Sequence, residues 1–183
     1  MNATFQEESR DDAESGRCMR TWYVLHVKPR TEKKVFGYLE MLRVFRYLPL
    51  VKKVTKVQRR KVTRFLPLFP GYVFTRLGPA ERLTMMKTQL LVRLIDVQNP
   101  RRMIHQLRQI AHAGRLACDL RPTVNFAVGE HVRMTSGPFR GIDGYVQRKG
   151  AHTTLVLELE ILGRAVEVSV DSGDVEKAEG DRT

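Results

Sequence analysis

From Phe126 to the C-terminus the sequence never settles into a helical period. It runs instead as short extended stretches: His131–Thr135, Tyr145–Gln147, Thr153–Glu160, Arg164–Ser169 and a last piece at Val175. Turn signals separate them at Ser136-Gly137-Pro138, Gly141 to Gly144, Lys149-Gly150 and Gly163. In Val166-Glu167-Val168-Ser169-Val170 the alternation is strict, with one face wet and one face buried. Five short strands within about 50 residues predict a small β-barrel.

The preceding part reads differently. Residues 1–20 are polar and aperiodic, as in a mobile tail. Trp22 to Val27 is short, aromatic and β-branched and is bounded by Lys28-Pro29, which predicts a buried strand. From Arg30 to Phe45 the apolar residues Val35, Leu39 and Leu42 recur at helical spacing. Tyr47–Val51 can extend again, and residues 52–64 have the β-branched content of a hairpin. Gly71 to Arg76 reads as a strand after Pro70, Pro79 opens a short helix through Leu83 and Met86, and Val92–Val97 reads as another strand. Asn99-Pro100 caps a last helix whose stripe is Met103, Leu107 and Ile110, with Gly114 placed where it should stop. The predicted class is therefore α+β: an α/β sandwich of the split βαβ kind, then the barrel. The expected boundaries are a tail at 1–20, a first domain at 21–113, a linker at 114–125, a barrel domain at 126–178 and a tail at 179–183.

Charge is placed as unevenly as structure. The 183 residues carry a formal +12, but residues 21–122 hold 22 bases against five acids. Residues 123–183 hold seven bases against ten acids, and residues 1–20 three against five. A field this positive attracts polyanions to the middle of the chain, while the end repels them. Two cysteines, Cys18 and Cys118, exclude a disulfide framework and a zinc quartet. No apolar run is long enough to span a bilayer, and the acidic N-terminus lacks the apolar core of a signal peptide. We expect a soluble, cytoplasmic monomer with no membrane partner.

Catalytic chemistry finds little support. The glycine-rich stretch Gly137 to Gly144 lacks the lysine of a phosphate loop and leads into a strand. His105 and His112 could share a helix face but have no carboxylate or thiol beside them, so no metal site, no cofactor and no catalytic residue is expected.

Three constellations carry more information. The first is Lys52 to Arg64, with seven bases in thirteen residues, which suits either a phosphate backbone or a solvated loop kept soluble by charge. Lys28, Arg30, Lys33 and Lys34 add cations at a helix start, where the helix dipole disfavours them. The second is Pro67-Leu68-Phe69-Pro70-Gly71-Tyr72-Val73-Phe74. There Tyr72 and Phe74 share one strand face while Val73 points to the other, where Val24 or Leu107 could join it in the core. Those two aromatics are either a docking patch for a partner helix or a second sheet face covered by helices. The third is the pair of turns around Phe139 and Leu162, readable as a protein-binding edge with apolar tips or as ordinary barrel turns.

Three segments in order, WYVLHVKPRTEKKV, LPLFPGYVF and GEHVRMTSGPFRGIDGYV…LELEILGRAVEVSV, resemble the NusG/RfaH family of bacterial transcription elongation factors. The likeness covers residues 21–178. It implies an RNA polymerase-binding NGN domain followed by a KOW domain with an SH3-like β-barrel. It further implies docking onto the clamp helices of the largest polymerase subunit through a pocket matched here by His26, Phe69, Tyr72 and Phe74. Upstream duplex and non-template DNA would be met by Lys28, Arg30, Lys33, Arg59, Arg60 and Lys61. The KOW domain would engage a small-subunit ribosomal protein or Rho through Phe139, Ile161, Leu162 and Arg164. The implied function is suppression of pausing and antitermination, without catalysis.

The sequence also departs from that pattern. Where sequence-specific members carry a His-Thr-Thr loop, this chain has Arg82-Leu83-Thr84, and His152-Thr153-Thr154 belongs to the barrel instead. Leu162 stands where general members often place phenylalanine. Together with the acidic tail and the basic hairpin, these departures favour a specialised paralogue. The rival reading is a ribosome-associated RNA-binding KOW protein, against which the net negative barrel counts.

Overall fold

A computed structural model of the chain describes residues 20–57, 60–116, 120–123, 129–149, 152–170 and 175–177. Backbone contacts divide the chain into two units, residues 1–100 and 101–183. The expected terminal tails, apart from Arg20, lie outside the described residues.

The first unit is built on strand β1 (Thr21–Val27), helix α1 (Glu32–Met41), β2 (Arg46–Tyr47), a hairpin of β3 (Leu50–Val57) and β4 (Arg60–Pro67), β5 (Tyr72–Leu77), α2 (Pro79–Lys87) and β6 (Leu91–Asp96). Its sheet runs β2-β5-β1-β6, antiparallel throughout, and β3 and β4 pair only with each other. Strand alternation sorts β1 and β5 into two faces. Tyr23, Leu25, Val27, Val73 and Leu77 form one face, packed in a single core with Val35 and Leu39 of α1 and Met85 of α2. Burying an aliphatic side chain of this size contributes about 1.5–3 kcal/mol, so this layer fixes the unit. Trp22, Val24, His26, Tyr72 and Phe74 form the other face, since Val24 pairs with Phe74 and His26 with Tyr72. Of the two partners expected for Val73, Val24 or Leu107, Val24 is therefore corrected: Leu25 is the register partner of Val73, and Val24 points the opposite way.

Helix α1 ends earlier than its apolar spacing suggested. Arg43 adopts a left-handed conformation (φ 52°), and the Val44 N–H donates to the Leu39 carbonyl, closing the helix before Phe45. In α2 the buried residue is Met85, while Leu83 and Met86 lie open to solvent.

The second unit holds nearly all of α3 (Pro100–Leu116) and a six-stranded antiparallel sheet. Its strands are β7 (Arg121–Thr123), β8 (Glu130–Met134), β9 (Asp143–Lys149), β10 (His152–Leu159), β11 (Arg164–Val170) and β12 (Val175–Lys177), in the order β12-β8-β9-β10-β11-β7. The α3 stripe of Met103, Leu107 and Ile110 is buried, with Ala113 extending it. Gly114 does not stop this helix, which runs on to Leu116. A Cβ there would come within 3.0 Å of the Leu120 side chain, so the glycine serves a close approach. Within the expected linker, Arg121–Thr123 forms a strand against Ala165–Glu167, while residues 117–119 and 124–128 lie outside the described set. Pro122 is tolerated because β7 is an edge strand, where a missing N–H breaks no central ladder.

Candidate functional site

The turn from β4 into β5 is shaped by Gly71, whose φ of +85° favours glycine. A side chain there would meet the His26 ring at 3.5 Å. The Gly71 N–H donates to Glu32 Oε1 at 2.8 Å, and its carbonyl accepts from the Val27 N–H at 2.8 Å. Glu32 is buried in the first turn of α1, where the helix dipole favours a carboxylate. One acid therefore ties the start of α1 to the Pro70-Gly71 turn. Reading the sequence for chemistry passed over Glu32. The available signal was an isolated acid among the cations of residues 28–34.

This turn sets His26 and Tyr72 side by side. They are cross-strand partners whose rings stack at 4.9 Å between centroids, 15° from parallel, and both are half-buried. Phe69 and Phe74, by contrast, have no exposed surface. Of the four aromatic or imidazole positions singled out from the sequence, two reach the surface and two are interior.

Cations gather at the same end of the sheet. Lys28 and Arg30 are exposed in the turn between β1 and α1. That turn is closed by the Thr31 N–H (3.2 Å) and hydroxyl (2.7 Å) donating to the Lys28 carbonyl. Arg30 is left-handed at φ 65°, a conformation costing about 1–2 kcal/mol for a side chain of its kind. Lys33 Nζ donates to the Phe65 carbonyl at 3.1 Å, fastening the base of the β3–β4 hairpin to α1. Along that hairpin Lys52, Lys53, Lys56, Arg60, Lys61 and Arg64 are all exposed, and no acid occurs between Leu50 and Pro67. Arg59 lies outside the described residues.

At the opposite end of β5, Arg20 Nη2 bonds Glu81 Oε1 at 3.1 Å, and the Gly78 N–H donates to Glu81 Oε2 at 3.0 Å. Burial pushes the Glu81 carboxyl up. Its own backbone N–H, the Arg20 guanidinium and the Gly78 N–H outweigh this and hold it below its ordinary value. In the stretch Arg82-Leu83-Thr84, Arg82 lies over the Tyr23 ring at 5.9 Å and the Thr84 hydroxyl donates back to the Ala80 carbonyl.

In the second unit Phe139 is not an exposed tip. It is buried in the β8–β9 turn, which closes through Gly141 N–H to the Met134 carbonyl and Ile142 N–H to the Phe139 carbonyl. Ile161 and Leu162 are half-buried in a 3-10 turn, Glu160–Leu162, ended by left-handed Gly163. Arg164, also half-buried, opens β11 directly after it. Arg102 pairs with Glu160 at 2.6 Å, and the Glu160 N–H donates to Gln106 Oε1 at 3.2 Å, so α3 and this turn are linked.

The first unit thus defines a module suited to work by contact, with a stacked imidazole–phenol pair on a sheet face and an exposed hairpin charged with one sign. Residues 20–111, half of the chain, match the NusG family, described as transcription termination factor nusG, and the chain belongs to that family. The matched span takes in the first unit and most of α3. Members of the family are transcription factors that bind RNA polymerase. None of the curated proteins compared with it matches the chain.

Proposed function

We propose that this protein docks through the β1–β5 face onto the clamp helices of the largest RNA polymerase subunit, suppresses pausing and promotes antitermination. His26 and Tyr72 supply the accessible contact, with Phe69 and Phe74 as the interior part of the same pocket. Lys28, Arg30, Lys33, Arg59, Arg60 and Lys61 meet the phosphates of upstream and non-template DNA, which position without reading sequence. The second unit is a KOW domain with an SH3-like barrel that recruits a small-subunit ribosomal protein or Rho through Ile161, Leu162 and Arg164, while buried Phe139 shapes the β8–β9 turn instead of touching the partner. The departures at Arg82-Leu83-Thr84 and Leu162 favour a specialised paralogue acting in the cytoplasm.

The mechanism is a shift of population, not a chemical step. A bound module spanning the cleft disfavours the clamp opening that a pause requires. An interface term of about 1.4 kcal/mol changes that equilibrium tenfold. The observation that carries this reading is the stacked His26–Tyr72 pair, half-exposed on a sheet whose opposite face is a closed core. The test is transcription through a defined pause with purified polymerase. The native chain should shorten pause lifetime, and His26→Ala combined with Tyr72→Ala should abolish the effect. An unchanged effect in the double variant would refute docking by this face.

A further inference from the structure

The β3–β4 hairpin has a property that its composition alone does not reveal. In an antiparallel ribbon, register partners point to the same side. Lys52, Lys56 and Lys61 therefore share one face, while Lys53, Arg60 and Arg64 share the other. All six side chains are exposed, and none makes an ion pair or hydrogen bond among the described residues. Two pairs of like charge stand directly opposite each other, Lys53 with Arg64 and Lys56 with Lys61. Such pairs oppose the folded ribbon. A hairpin resting one side on a surface would need cations on that side only. Among the described residues this one carries three on each.

We propose that the ribbon enters the major groove of B-form duplex DNA, one cationic face toward each phosphate backbone. This inference rests on the nucleic-acid reading of the same hairpin given above and specifies its form. The B-form major groove is about 12 Å wide and admits a two-stranded ribbon. With a face toward each wall the ribbon stands edge-on, and its long lysine and arginine side chains reach from the backbone to the phosphates on either side. Phosphates on both walls relieve both like-charge pairs at once. Single strands are disfavoured, because exposed Phe65 sits at the base of the ribbon, opposite Lys52 and tied to Lys33 through its carbonyl, and residues 52–64 hold no aromatic side chain on which successive bases could stack. Duplex RNA is disfavoured as well, since its major groove is too deep and narrow for a ribbon. With lysine, arginine and threonine but no asparagine on the strands, contacts go chiefly to phosphates, and little base preference is expected.

The test uses the full chain and three labelled probes of equal length: a DNA duplex of mixed sequence, oligo-dT and the corresponding RNA duplex. Binding is measured between about 50 and 200 mM salt. Two triple variants, Lys52→Gln/Lys56→Gln/Lys61→Gln and Lys53→Gln/Arg60→Gln/Arg64→Gln, are compared with Lys28→Gln/Arg30→Gln. The native chain should prefer duplex DNA. Each triple variant should lose about tenfold or more in affinity at low salt and about two to three units of salt slope, equally for the two faces. Methyl green, a major-groove ligand, should compete, and netropsin, a minor-groove ligand, should not. Loss from one face only, or equal affinity for oligo-dT or RNA, would overturn groove entry while leaving the nucleic-acid reading standing. So would an effect confined to the Lys28/Arg30 variant. Failure to bind any probe would overturn both.

Discussion

Two hairpins in this molecule use nearly the same backbone and do opposite things with it. The β3–β4 ribbon and the β10–β11 ribbon pair antiparallel over eight and seven register partners. In β10–β11, Leu155, Val156, Leu157, Leu159, Ala165, Val166 and Val168 are buried, so side chains hold the ladder from both faces. In β3–β4, residues 52–56, 60, 61, 63 and 64 are exposed and Val62 is half-buried, and the cross-strand neighbours include two like-charged pairs. The first ribbon is stabilised by what lies beneath it. The second holds its shape by backbone pairing and by anchors at its base, where Lys33 reaches the Phe65 carbonyl and Leu68 N–H donates to the Pro49 carbonyl. An element that gives the fold so little packing is available for an outside partner.

The sharpest break of this comparison is a pair of truncations. Leu157→Ala should cost about 2–5 kcal/mol in denaturant unfolding, because it empties a closed core. Val54→Ala, at a position 53% exposed, should stay within about 0.5 kcal/mol. Equal costs would mean that the β3–β4 ribbon is packed after all.

A smaller effect is expected at Glu81, where the first unit does use a carboxylate for stability. Glu81→Gln should cost about 1 kcal/mol at neutral pH through loss of the Gly78 and Arg20 contacts. The folded carboxyl lies below its ordinary value of 4.5, so its contribution is complete above that pH. It fades as pH falls through the lower folded value. The native chain and Glu81→Gln should therefore converge in stability on acidification, as thermal melts across that range would show. A gap that widened toward acid would reverse the sign assigned here.

The smallest effect is the most specific to the cationic ribbon. Lys56→Thr removes one like-charge pair and should raise the hydrogen-exchange protection of hairpin amides, equivalent to about 0.2–1 kcal/mol, at low salt only. Protection that fell, or that ignored salt, would show that the facing lysines do not strain the ribbon.

Elements governed by local periodicity were legible in the sequence. The stripes Val35–Leu39 and Met103–Leu107–Ile110 are buried as spaced, and Tyr72 and Phe74 do share a strand face. What the spacing cannot carry is which of two like residues on one face is covered. Tyr72 is half-exposed and Phe74 closed off, and the letters separate them only by the Tyr72 hydroxyl. Val24, one of two partners the sequence offers for Val73, lies on the other face, because alternation fixes parity within a strand while register between strands depends on pairing distant in sequence. Gly114 looked like a stop because a glycine after a stripe usually is one, and only the approach of Leu120 explains it otherwise. The charge of the hairpin was visible at once. The division of its six described cations into two faces of three needed the ladder.

The most direct measurement is equilibrium binding of the full chain to an isolated clamp coiled coil from RNA polymerase. The native protein should bind at micromolar concentrations, with affinity reduced about thirtyfold or more by His26→Ala with Tyr72→Ala, a hot-spot loss near 2 kcal/mol. Binding that was absent in the native chain, or untouched in the double variant, would contradict the account.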